Sequence, residues 1–139
     1  MRALALLLVL AVPSIGNGLK EVRSIFVDSL GDTAGAAMIR EKIIKKLAKS
    51  RSVSLVVDRE KADAILTGTG WVSEGRDLEG NRTYHAAAGI QLITKDRQIL
   101  WADLATPGSF FGGCVSSSVA DKIATHLLKA IETDLRAPK

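Results

Sequence analysis

The stretch that most limits the folds open to this chain is residues 62–73, ADAILTGTGWVS. Its alternation is that of a β-strand, with Ala64, Leu66, Gly68, Gly70 and Val72 on one face and Ile65, Thr67, Thr69, Trp71 and Ser73 on the other. Glycine weakens a strand interior, so two glycines on one face mark a place where another backbone comes close. A packed helix is the simplest such neighbour, and a ligand lying on bare backbone is the alternative.

The elements around that strand follow from periodicity. Residues 21–28 (EVRSIFVD) read as a first strand, with Ile25 and Val27 on one face. Asp32 can cap a helix running to about Lys49, in which Ala36, Ile39, Ile43 and Leu47 form one apolar stripe. Lys42, Lys45, Lys46 and Lys49 fall on its other side, either as a solvated face suited to the helix dipole or as a patch for an anionic partner. Residues 53–58 (VSLVVD) form a second strand, parallel to the first through a right-handed crossover. Residues 58–63 are a polar turn, in which Asp63 serves the turn or a cap rather than a site.

After the glycine strand, residues 74–82 (EGRDLEGNR) read as a solvated, mobile hairpin loop. Residues 84–94 and 98–105 follow as antiparallel strands. Residues 106–118 (TPGSFFGGCVSSS) are irregular, and a closing helix runs from about Val119 to Leu135, with Ser118 and Asp121 at the spacing of a capping box. Its apolar face comprises Val119, Ala120, Ile123, Ala124, Leu127, Leu128 and Ile131. The order β-α-β-β-β-β-α predicts an α+β fold, a two-layer sandwich of a mixed sheet of about five strands with two helices on one face.

The chain's 139 residues suffice for one domain with a real core. Residues 1–16 read as a secretory signal peptide, with Arg2, an apolar run over 3–12 and a small-x-small site at Ser14-Ile15-Gly16, or a second cut at Gly16-Asn17-Gly18. Residues 17–139 then form a single domain, secreted or periplasmic, with no stretch long enough for a stable membrane span. Cleavage leaves one basic residue fewer than the 19 of the whole chain, against 15 acidic ones, for a net charge of +3. That mild balance does not call for nucleic acid, which needs a clustered basic patch. Cys114 is the only cysteine, so an internal disulfide is impossible.

Residues able to carry chemistry are few. Cys114, just before a helix start, could be a thiolate with His85 or His126 as its base, giving a small envelope hydrolase. Against this, His126 borders an apolar helix face and His85 stands on a strand, where structural roles are commoner. Two histidines and one cysteine at wide spacing make no metal cluster, and FGGC lacks the spacing of a phosphate loop, so no metal and no cofactor is expected. Trp71 and Trp101 are either core or, if they share a face, an exposed platform.

The succession VSLVVD, ADAILTGTG, a hairpin, QILWADL and VADKIATHLLKAIETD resembles the periplasmic domains grouped around the curli secretion protein CsgG, the TolB amino-terminal domain and the lipoprotein activators of penicillin-binding proteins. The resemblance spans about Val22 to Leu135. It implies an anticodon-binding-like fold, a non-catalytic role in the cell envelope and no catalytic residues to carry over. The lipobox cysteine and the long pore-building hairpins of CsgG have no counterpart here, so an accessory role is implied rather than a pore. The expected function is an envelope binding or assembly module with a protein partner, or alternatively a self-associating structural subunit. The contacts would be an exposed sheet edge and two loops, through Glu74, Arg76, Asp77, Glu79 and Arg82 in one and Phe110 and Phe111 in the other.

Overall fold

A computed structural model describes residues 18–106 and 115–136. A 3-10 turn at Leu19–Glu21 precedes β1 (Ser24–Val27), α1 (Ala34–Ala48) and β2 (Ser54–Leu55). A second 3-10 turn at Arg59–Lys61 leads to β3 (Ala64–Arg76), β4 (Arg82–Ile93), β5 (Ile99–Ala105) and α2 (Val115–Arg136). The strands form one open sheet in the order β2-β1-β3-β4-β5, parallel across the first three and antiparallel across the last three. Both helices lie on one face, as the α+β reading expects.

Burial explains that arrangement. Ala36, Ile39, Ile43 and Leu47 of α1 and Val119, Ala120, Ile123, Ala124 and Leu127 of α2 are fully buried. They pack on the even-numbered face of β3 and β4, where Ala64, Leu66, Ala88, Ile90 and Leu92 are also closed to solvent. Removing so much aliphatic surface from water is the main stabilising term, at about 25 cal/mol per Å².

Glycine on both sides sets how deeply α1 sits. A Cβ on Gly70 would meet Ile39 Cδ1 at 3.2 Å, and one on Gly35 of the helix would meet Val72 Cβ at 2.9 Å. The close helix approach expected from the glycine strand therefore holds at Gly70. Gly68 serves the strand pair instead: its φ is +152°, and a Cβ there would stand 2.0 Å from the Gly89 carbonyl oxygen of β4.

Several element ends differ from the sequence reading. The first strand is shorter than residues 21–28, because its start is spent on the 3-10 turn. Thr33, not Asp32, caps α1, its hydroxyl accepting the Ala36 N–H at 3.1 Å. β2 is only two residues long, and Val57 beyond it is fully exposed. Asp63 is structural but not local: its carboxylate accepts the N–H groups of Arg23 and Ser24 at 2.9 and 3.0 Å, tying the entry of β3 to that of β1. α2 begins at Val115, so Ser118 lies inside it and cannot form a capping box; Asp121 faces Lys46 of α1 at 3.6 Å. No glycine or proline follows Gly113 until Pro138, so nothing delays the helix to residue 119.

Candidate functional site

The largest departure from the sequence reading falls on residues 74–82. The hairpin loop is there but shorter, at residues 77–81, because the β3–β4 ladder runs without a break from Ile65↔Ile93 to Arg76↔Arg82 and takes in residues 74–76 and 82. Thr83 and Tyr84, residue types favoured in strands, suit a pleated ribbon, and the turn chemistry is concentrated in residues 77–81, DLEGN. No residue of 73–85 is buried, so the end of the hairpin is a two-stranded arm beyond the helices.

The arm's tip is bridged by its own polar groups. Asp77 accepts the N–H groups of Asn81 at 2.8 Å and Glu79 at 2.9 Å. The Asn81 N–H, foremost, holds the Asp77 carboxyl below its ordinary range and keeps the tip charged. Arg82 Nε lies 3.3 Å from Glu74 Oε1, and Arg76 donates to the Gly80 carbonyl. Glu74, Arg76, Asp77, Glu79 and Arg82 are thus gathered at one end of one hairpin. Phe110 and Phe111 lie outside the described residues, as do Cys114 and residues 1–16.

Aromatic rings stand at the root of the arm. Trp71 is 47% exposed and Tyr84 44%. Trp71 pairs with Ala87 and Tyr84 with Glu74, so the two rings look out from opposite faces of the ribbon. Trp101 pairs with Leu92 on the helix side and packs against the core. The tryptophans therefore share no face: the core reading holds for Trp101 and fails for Trp71, which stands exposed on the face away from α1 and α2.

Among the described residues, no helix covers the sheet's other face. Phe26, Ile65, Ile93 and Ile99 form an apolar row in register across four strands, and Leu104 lies two rungs higher. Ile65 is closed off by its neighbours, whereas Ile99 is 61% and Leu104 68% exposed. This row was missed in the sequence because the residues are far apart along the chain and meet only through register.

On the helix side, Asp103 of β5 and His126 of α2 form a pair, with Nδ1 2.6 Å from Oδ2. The other Asp103 oxygen accepts the Leu104 N–H at 3.0 Å. His126 is exposed rather than partly buried, and it closes a shallow groove of about 520 Å³ lined by Leu19, Lys129, Ala130, Thr133 and Asp134. A carboxylate on Nδ1 is how a general base is oriented, but the pair also ties β5 to α2. Among the described residues no three histidine, cysteine or acidic side chains converge on a metal position, and no helix is long and apolar enough to cross a membrane.

No family model matches the chain, and no curated protein matches it. Solved structures do resemble it. A PDZ domain protein from Parabacteroides distasonis aligns with 86% of the chain at 11% identity and a TM-score of 0.51. The aligned part is 33% of that protein, so the chain spans about a third of its length. The hypothetical protein CT253 from Chlamydia trachomatis aligns over 84% of this chain and 99% of its own, at 9% identity and a TM-score of 0.51. PelC from Paraburkholderia phytofirmans, solved as a dodecamer, aligns over 91% of this chain and 93% of its own, at 14% identity and a TM-score of 0.48. At these identities the likeness is one of fold.

Proposed function

We propose that this protein is a non-catalytic binding module of the cell envelope, secreted or periplasmic after removal of residues 1–16, that holds a protein partner through the β3–β4 arm. The observation that carries the reading is the arm itself. A two-stranded ribbon without a core face is marginal in water. Here thirteen consecutive residues, 73–85, contribute nothing buried to the domain, yet they carry five charged side chains and the exposed ring of Tyr84, with exposed Trp71 just before them in β3. Exposed aromatics beside rim charges are the usual composition of a recognition surface. The resemblance to envelope adaptor domains points the same way.

The test is crosslinking capture from the envelope fraction with the tagged mature protein and with a version carrying Gly and Ser at residues 74–82. The expected result is one defined envelope protein that the replaced arm loses, with the melting temperature of the domain unchanged. Equal capture by both versions would move the contact elsewhere. The Asp103–His126 pair motivates one competing reading, an envelope hydrolase with His126 as base. Cys114→Ala and His126→Ala would then abolish turnover of an ester substrate while leaving capture intact.

A further inference from the structure

We infer that Asn81, at the tip of the arm, is an acceptor for an N-linked oligosaccharide. Residues 81–83 are Asn-Arg-Thr, the pattern that oligosaccharyltransferases modify in secreted chains. A three-residue pattern recurs by chance, so its context decides. The chain has two asparagines, Asn17 and Asn81, and only Asn81 has a serine or threonine two residues on. The bacterial class of these enzymes also reads an acidic side chain two residues before the asparagine, and Glu79 stands there. Residues 79–83, EGNRT, thus match the longer and rarer pattern throughout.

The fold presents this stretch where an enzyme can reach it. Asn81 closes the turn and is exposed, and Thr83 is the second residue of β4. A transferase has to bend its acceptor out of strand geometry to bring the amide and the hydroxyl into one site. The end rungs Arg76↔Arg82 and Gly75↔Thr83 hold no buried side chain, so opening them uncovers nothing apolar. Gly75 stands opposite Thr83, and a Cβ there would lie 3.1 Å from Thr83 Oγ1, so the glycine leaves open the hydroxyl that the enzyme reads. The Asn81 amide nitrogen donates to Asp77 Oδ2 at 3.3 Å, a long bond at an exposed site that water or an enzyme can replace. Beside it, a Cβ built on Gly80 would meet no atom within 4 Å beyond its chain neighbours, which gives a glycan open space.

The step is a substitution at the anomeric carbon of a polyprenyl pyrophosphate-linked oligosaccharide. The bond from Asn81 Nδ2 to that carbon forms as the bond from the carbon to the pyrophosphate oxygen breaks. The lipid pyrophosphate leaves with the electron pair, and Nδ2 gives up one proton to the transferase.

This inference rests on the secretion reading above and not on the arm's role as a protein contact. The test is intact-mass spectrometry of the protein isolated from the envelope fraction. The mature chain should be heavier by one oligosaccharide, with the excess on the peptide that holds Asn81. Asn81→Gln, Thr83→Ala and Glu79→Gln should lose it and Thr83→Ser should keep it, all with the wild-type melting temperature. The same spectrum reports the leader, so the two failures separate. A chain that keeps residues 1–16 counts against secretion, and the acceptor is then decided in a cell-free reaction. There the chain from residue 17 onward meets a purified bacterial oligosaccharyltransferase and a polyprenyl pyrophosphate-linked oligosaccharide, and transfer to Asn81 is expected. Mature wild type without added mass, an excess on another residue, transfer that survives Thr83→Ala, or a cell-free reaction without product would overturn the inference. Asn81→Gln keeps all five charged side chains of the arm, so in the capture experiment it separates a lost glycan from a lost protein contact.

Discussion

Gly68 and Gly70 sit two residues apart on one face, and they are not equivalent. A side chain at Gly68 meets a backbone carbonyl on the neighbouring strand and a φ that L-residues avoid, whereas at Gly70 it meets only the end of a flexible isoleucine. Gly68→Ala should therefore lower stability by about 2–3 kcal/mol and Gly70→Ala by less than about 1 kcal/mol, as read by urea unfolding. The sequence suggested close approach at both, but it contained no sign that one approach is to a helix and the other to a strand. Asp63 allows a second test. The Arg23 N–H, foremost, and the Ser24 groups lower its pKa from the ordinary 3.8, against a smaller opposing effect of burial. A depressed carboxylate stabilises the fold above that value and stops doing so as pH falls through the folded pKa. Asp63→Asn should thus be less stable than wild type at neutral pH, with the gap closing below about pH 4. Its tie to residues forty positions earlier was illegible, since nothing local distinguishes it from a turn aspartate.

At the scale of elements, what could be read was what periodicity controls. Both helical stripes are buried as their spacing requires, because a helix has to turn its apolar residues to the core whatever its exact ends. Leu127→Ala in the middle of α2 should accordingly cost about 2–5 kcal/mol by chemical denaturation, since its whole side chain is enclosed. Strand ends were another matter. A strand extends as far as its neighbour pairs with it, so β2 shrank to two residues while the β3–β4 ladder absorbed both ends of a stretch that composition marks as loop. The same polar, glycine-bearing residues serve equally in a solvated loop or an exposed ribbon. Asp77→Ala, which removes the acceptor for the Asn81 and Glu79 amides, should speed amide exchange across residues 77–82 and leave that of the core strands unchanged.

For the whole molecule, the two-layer α+β architecture followed from element order alone, but the order of strands did not. β1 lies between β2 and β3, a placement that leaves β5 at the margin and gives the free face its row from Phe26 to Ile99. With Cys114 as the sole cysteine, the monomer's cohesion comes from its apolar layer, and its melting temperature should be the same with and without reductant. The arm adds one property that the packed layer cannot have. Its reach is a matter of counting: each further residue pair would carry the charged tip about 3.4 Å outward, and a single added pair would also roll it over to present its opposite side. Insertions there come in steps of two pairs if the tip is to keep its bearing, and the helices would register none of them.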